Sequence, residues 1–92
     1  MKKRVLRIPV KAEYFYQIKW LLKFDEYRLK KEYWRKRLEG KEYDEVHITL
    51  GYPKADDAER ILVRPWRGYH EKQITHKEFG NEPVDVYAIR VN

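Results

Sequence analysis

The run Lys23-Phe24-Asp25-Glu26-Tyr27-Arg28 gathers an ammonium, a carboxylate and a guanidinium within six residues. In an extended chain Glu26 and Arg28, two residues apart, share one face. Lys23 sits just ahead of them, close to that face. A lysine stripped of its proton by desolvation can act as a general base. A guanidinium can clamp a carbonyl or a phosphate through paired N–H donors. A carboxylate between the two can accept from a base amino group or orient the arginine. The same spacing also describes a surface ion pair between Glu26 and Arg28, worth about 0–1 kcal/mol.

Other chemistries are closed. The 92 residues contain neither serine nor cysteine, so thiolate nucleophiles, disulfides, Cys-based zinc sites and a Ser-His-Asp triad are excluded. Hydroxyl nucleophiles reduce to Thr49, Thr75 and the tyrosines. His47, His70 and His76 show no i, i+4 pairing, and no metal-ligand cluster is visible. The four glycines are isolated, which leaves no Gly-rich phosphate loop and no dinucleotide fingerprint. No cofactor and no metal are expected.

Two runs interleave rings with cations: Tyr33-Trp34-Arg35-Lys36-Arg37 and Arg64-Pro65-Trp66-Arg67-Gly68-Tyr69. Cations meet phosphates, and exposed rings stack on unpaired bases. Against that, Trp34 lies four residues before Leu38, the spacing of a helix core pair. Arg35, Lys36 and Arg37 equally describe a solvated helix face.

These groups need elements to hold them. Residues 4–10 alternate, with Leu6, Ile8 and Val10 on one face, and predict a strand whose Pro9 marks an end or a sheet edge. Residues 11–22 carry Phe15, Ile18 and Leu22 at helical spacing. Residues 24–30 alternate again, with Tyr27 and Leu29 opposite Glu26 and Arg28. Residues 31–39 predict a second helix that Gly40 ends. Residues 44–52 predict a strand with Val46, Ile48, Leu50 and Tyr52 on one face and His47 and Thr49 on the other, leaving His47 outside or at a cleft. Residues 53–58 form a loop. Residues 60–66 and 69–76 predict two strands joined as a hairpin at Arg67-Gly68, and residues 84–91 predict the last strand. Six short strands and two helices in so small a chain predict an α+β fold closed as a β-barrel, which removes exposed strand edges.

The length fits one domain spanning residues 1–92. The net charge of +6 is uneven, with 13 Lys/Arg against 5 Asp/Glu in residues 1–40 and 8 against 10 in residues 41–92. A basic half suits a polyanion partner, and it also suits a soluble surface. The basic N-terminus lacks the apolar core of a signal peptide, and no apolar run approaches a membrane span. A cytoplasmic location with no membrane partner is the expectation.

Three segments carry a resemblance. They are Leu6-Arg7-Ile8-Pro9-Val10, Glu13-Tyr14-Phe15-Tyr16-Gln17-Ile18-Lys19 and Lys23-Phe24-Asp25-Glu26-Tyr27-Arg28. Together they resemble the start of ASCH-domain proteins, whose motif has the form Gly-x-Lys-Thr-x-Glu-x-Arg. The blocks Tyr33-Trp34-Arg35-Lys36-Arg37-Leu38, Ile48-Thr49-Leu50-Gly51-Tyr52-Pro53-Lys54 and Leu62-Val63-Arg64-Pro65-Trp66-Arg67-Gly68-Tyr69 resemble a small bacterial and phage-associated branch. The resemblance covers nearly the whole chain. It implies a PUA-like β-barrel with a cleft beside the first helix. It also implies RNA-related roles, namely RNA binding, ribonuclease activity or deacetylation of 4-acetylcytidine. Lys23, Glu26 and Arg28 match the motif, while Leu21 stands for its Gly and Phe24 for its Thr. Phe24 removes the motif's hydroxyl. In the deacetylating members a separate Glu also acts, and Glu71 is the candidate by strand placement.

The expected function is therefore an RNA- or modified-nucleoside-binding domain with a basic cleft. Lys23 and Glu26 would be its acid–base pair, and Arg28, Arg35, Arg64, Trp66 and Arg67 its binding residues. Two alternatives stay open. One is a hydrolase of the ASCH type, a 4-acetylcytidine amidohydrolase or ribonuclease, with Lys23 as base. The other is a regulator whose basic face docks on an acidic protein.

Overall fold

The computed structural model describes residues 2–92. Six strands and two α-helices follow in the order β1 (Val5–Val10), α1 (Ala12–Lys19), β2 (Asp25–Leu29), α2 (Glu32–Leu38), β3 (Glu45–Leu50), β4 (Ile61–Pro65), β5 (Tyr69–Ile74) and β6 (Val84–Arg90), with single 3-10 turns at Ala58–Arg60 and Lys77–Phe79. The fold is α+β, as expected. The strands do not close into a barrel. They form two three-stranded sheets, ordered β1-β3-β4 and β2-β6-β5.

The expected hairpin at Arg67-Gly68 is also absent. β4 pairs with β3, and β5 pairs with β6, so the chain uses Arg67-Gly68 to pass from one sheet to the other. Gly68 takes φ 81°, the left-handed region that lets the chain turn there without a Cβ clash. Alternation identified the six strands, but β3 ends at Leu50, so that Tyr52, expected on its apolar face, is exposed, and Thr49, expected on the opposite face, is buried. The pattern carries no information on which strand pairs with which, and a short Gly-containing link suits a sheet change as well as a hairpin.

Alternation does account for the core. Leu6, Ile8 and Val10 of β1 meet Val46 and Ile48 of β3 in a parallel pair with Val5 opposite Glu45 and Val10 opposite Leu50. β1 is an edge strand, which is where Pro9 can sit without breaking a ladder. Phe15 and Ile18 of α1, Leu38 of α2, and Tyr87 and Ile89 of β6 join the same apolar cluster. β6 is the central strand of its sheet, and four consecutive residues, Val86–Ile89, are buried because both of its faces are covered. Trp34 and Trp66 pack against this cluster while partly exposed.

α1 stops earlier than its sequence pattern extends. After Lys19 the backbone of Leu21 turns to φ 62°. The Leu22 N–H donates to the Gln17 carbonyl at 2.8 Å and the Leu21 N–H to the Ile18 carbonyl at 3.1 Å. This pair of bonds is the Schellman C-cap, whose left-handed residue is usually glycine. Leu22 therefore leaves the helical stripe and is 75% exposed rather than buried. No helix among the described residues is long and apolar enough to cross a membrane.

Candidate ligand cleft

The cap at Leu21 sends the chain directly into β2, and β2 supplies the cleft's floor. Lys23 lies in the turn, and Glu26 and Arg28 follow on one face of the strand. Opposite stand the end of β1 (Pro9, Val10), Lys11 and Tyr14 of the α1 start, Gly51 and Tyr52 after β3, and the turn carrying His76, Glu78 and Phe79. They enclose a cavity of about 450 Å³, within the range of small-molecule sites.

Glu26 is the buried charge at its centre, 5% exposed. Its Oε2 lies 3.2 Å from Arg28 Nη2 and its Oε1 lies 3.7 Å from Lys23 Nζ. Burial pushes the Glu26 carboxyl above its ordinary value, and the two cations offset only part of that rise. The Glu26–Arg28 pair is therefore not the surface ion pair that spacing alone allows, because the carboxylate is buried. Arg28 also donates from Nη2 to the Pro9 carbonyl at 2.6 Å, and its guanidinium lies 5.4 Å from the Trp34 ring centroid. The arginine is fixed from three directions. Its Nε is buried and finds no hydrogen-bond partner among the described residues.

The walls are aromatic. Lys23 Nζ stands 4.6 Å from the Tyr27 ring centroid and 5.3 Å from that of Tyr14. The His76 ring lies 5.9 Å from Tyr14, 6.1 Å from Tyr27 and 5.8 Å from Phe79. His76 Nδ1 accepts the Glu78 N–H at 3.2 Å, so in the neutral ring the proton resides on Nε2. Tyr14 donates to Glu78 Oε2 at 3.0 Å, and Lys11 Nζ reaches Glu78 Oε1 at 2.7 Å. The bond from Lys11, then that from Tyr14, holds the Glu78 carboxyl below its ordinary value. Burial, reinforced by the bond to Glu78, raises the Tyr14 phenol to about 12. The lining therefore sets three cations, Lys11, Lys23 and Arg28, against two carboxylates.

The structure brings Lys23, Glu26 and Arg28 together, and the other expected site residues lie apart from them. Arg35 sits on α2 and pairs with Glu32 on the exposed face. Arg64 donates to Asn92 Oδ1 at 3.0 Å. Trp66 packs edge-on against Tyr43, 5.2 Å between centroids. Arg67 lines a different hollow. Glu71 pairs with Lys30 on β5 and is no part of the cleft. His47 binds Glu45 Oε1 at 3.1 Å, also away from the cleft. Phe24, at the motif's Thr position, is 51% exposed and outside the lining.

Sequence reasoning missed the walls. Tyr27 falls opposite Glu26 by alternation, yet both border the cleft because β2 is an edge strand. His76, expected at the end of a strand over residues 69–76, lies instead with Glu78 and Phe79 in the turn after β5, which ends at Ile74, and nothing in their spacing marks them as cleft residues. Compared with protein-family models, curated proteins and solved structures, the chain matches none.

Proposed function

We propose that this chain is an RNA- or modified-nucleoside-binding domain of PUA-like, ASCH type. The observation that carries the reading is the buried Glu26, fixing Lys23 and Arg28 at the floor of an aromatic-walled cleft. Tyr14, Tyr27, Phe79 and the His76 ring offer flat apolar faces for a planar base. Lys23 and Arg28 offer donors for a base carbonyl or a phosphate. The surplus positive charge suits an anionic or carbonyl-rich ligand. A further support for the family reading is Leu21, which occupies the motif's Gly position with φ 62°, a conformation glycine adopts freely.

A second reading has its own observation. His76 lines the same cleft as Lys23, so an acid–base group and a candidate base face one cavity. This favours an ASCH-type hydrolase of 4-acetylcytidine or of RNA, with Lys23 as base.

One experiment separates the two. Purified protein is incubated with 4-acetylcytidine and with mixed cellular RNA, beside Lys23→Ala and Arg28→Ala variants. Mass spectrometry and gels read turnover, and retention at graded salt reads binding. Binding that weakens in both variants, with a steep salt slope and no product, is the expected result. Product that vanishes in Lys23→Ala establishes the hydrolase. Unaltered RNA binding by both variants would show that the cleft is not the site.

A further inference from the structure

Among the described residues no large apolar side chain is more exposed than Tyr52, at 92%, and yet Tyr52 belongs to the lining of the cleft. The chain holds eight tyrosines. Each of the other seven has a second ring or a cation beside its own ring. Tyr52 has neither among the described residues. A single exposed ring is ordinary on a protein surface. What sets this one apart is its place and the backbone beneath it.

That backbone is held from several sides. The Gly51 N–H donates to the Val10 carbonyl at 3.1 Å, which ties the segment to the end of β1. Thr49, buried near the end of β3, donates from its hydroxyl to the Gly51 carbonyl at 2.8 Å. Gly51 takes φ 63°, so the chain turns sharply just ahead of the tyrosine. Pro53 follows and steers Tyr52 away from helical backbone angles. Only two side-chain torsions remain to be ordered when the ring finds a partner, which keeps the entropic cost of binding low.

The ring also stands apart from the walls. A wall residue such as Tyr14 is buried to 8% exposure against the protein. Tyr52 comes from the β1-β3-β4 side of the cleft, while Tyr27 on β2 belongs to the other sheet. A base inside the cleft meets Tyr14, Tyr27, His76 and Phe79. What passes over the rim beside Gly51 meets Tyr52.

The geometry points to Tyr52 as a stacking platform for the base next to the one held in the cleft, and so to a ligand that is a strand rather than a free nucleoside. Stacking needs only a flat face, so the platform accepts any of the four bases. The inference rests on the reading of the cleft as a site for RNA or a modified nucleoside, and it chooses between those two.

The test is NMR titration with the four homotrinucleotides of RNA and with matching strands whose two flanking sugars carry no base. The two sets have equal phosphates, so their affinity ratio isolates the flanking bases. The proteins are the parent chain, Tyr52→Ala, Tyr52→Leu, Tyr52→Phe and Lys23→Ala, each first checked for an unaltered thermal melt. The parent is expected to favour its best complete trinucleotide by about tenfold, the factor that one base–ring stack supplies. Tyr52→Ala should bring that ratio close to one. Tyr52→Leu, apolar without a flat face, should do the same, and Tyr52→Phe should restore the parent ratio. Lys23→Ala should weaken both sets and leave the ratio intact. A parent ratio near one, a ratio that survives Tyr52→Ala, or its recovery in Tyr52→Leu overturns the platform while the cleft reading stands on its Lys23 result. Binding indifferent to Lys23→Ala, or failure of the parent to bind any strand, removes both.

Discussion

Lys23 Nζ stands 3.7 Å from Glu26 Oε1, and the two side chains keep only 13% and 6% of their surface open to solvent. A lysine and a glutamate so enclosed, with Arg28 on the other carboxylate oxygen, form a charged cluster kept at a cost in desolvation. The consequences can be measured.

The first concerns Glu26 and pH. Its folded-state value lies above the ordinary 4.5, so the folded protein binds this proton more tightly than the unfolded chain does. The stability tied to the neutral carboxyl is complete below 4.5 and is lost as pH rises through the folded value. Glu26→Gln mimics the neutral form at every pH. Urea denaturation of both proteins should show similar stabilities near pH 4 and a growing advantage for the Gln variant toward neutrality. A difference that does not change with pH would refute the account.

Alkaline behaviour follows from Tyr14. Its phenol is raised from 10 to about 12, by burial first and by its bond to Glu78 second. The folded state holds this proton beyond the point where the unfolded chain releases it. Stability from Tyr14 is therefore complete below pH 10 and falls away between about 10 and 12. Tyr14→Phe should flatten this part of the stability profile. Absorbance at the phenolate band should lose one late-titrating tyrosine at the same time.

Asn92 ties the cleft's turn to the body of the protein. Its Nδ2 donates to the Ile18 carbonyl at 2.9 Å and to the Lys23 carbonyl at 2.7 Å, and its Oδ1 accepts from Arg64 Nε. Asn92→Ala leaves these partly buried groups unpaired and should cost about 1–3 kcal/mol. Amide exchange around Lys23 should accelerate more than exchange in β3. Equal acceleration in both places would mean that the residue supports the fold generally and not the turn.

Leu21 offers a test by glycine. A left-handed conformation costs a residue with a Cβ about 1–2 kcal/mol, and glycine escapes it while losing roughly 0.5–1 kcal/mol to unfolded-state entropy. Leu21→Gly should therefore match or exceed the parent in thermal stability. Leu22→Gly, where φ is not positive, should fall below it. A Leu21→Gly melt as low as that of Leu22→Gly would show that the cap is not strained.

The chain's elements were legible in the sequence because each carries a period: Leu6, Ile8 and Val10 at two, Phe15 and Ile18 at three. The core was legible for the same reason. Leu22 was misjudged because the helical period runs on past the point where Leu21 turns left-handed, and no glycine marks that turn. The sheet order was not legible, because pairing depends on which apolar faces meet, and alternation reports faces without partners. At the cleft, Lys23, Glu26 and Arg28 could be found because they lie on one short stretch of chain. Tyr14, His76 and Phe79 could not, since only the tertiary fold brings helix start and distant turn together.

The passage of the chain through Arg67-Gly68 has a bearing on how the protein folds. One sheet takes its strands from the first, third and fourth positions and the other from the second, fifth and sixth. No continuous stretch of chain holds one complete sheet without a strand of the other running through it. Neither sheet can then form as an independent unit, and two of the four strand pairs, β1 with β3 and β2 with β6, must wait for distant segments to meet, which slows folding and makes it cooperative. The cleft draws on both sheets, so it should be lost in a single step with the fold as a whole. Cleft fluorescence and backbone circular dichroism should then trace one coincident unfolding curve.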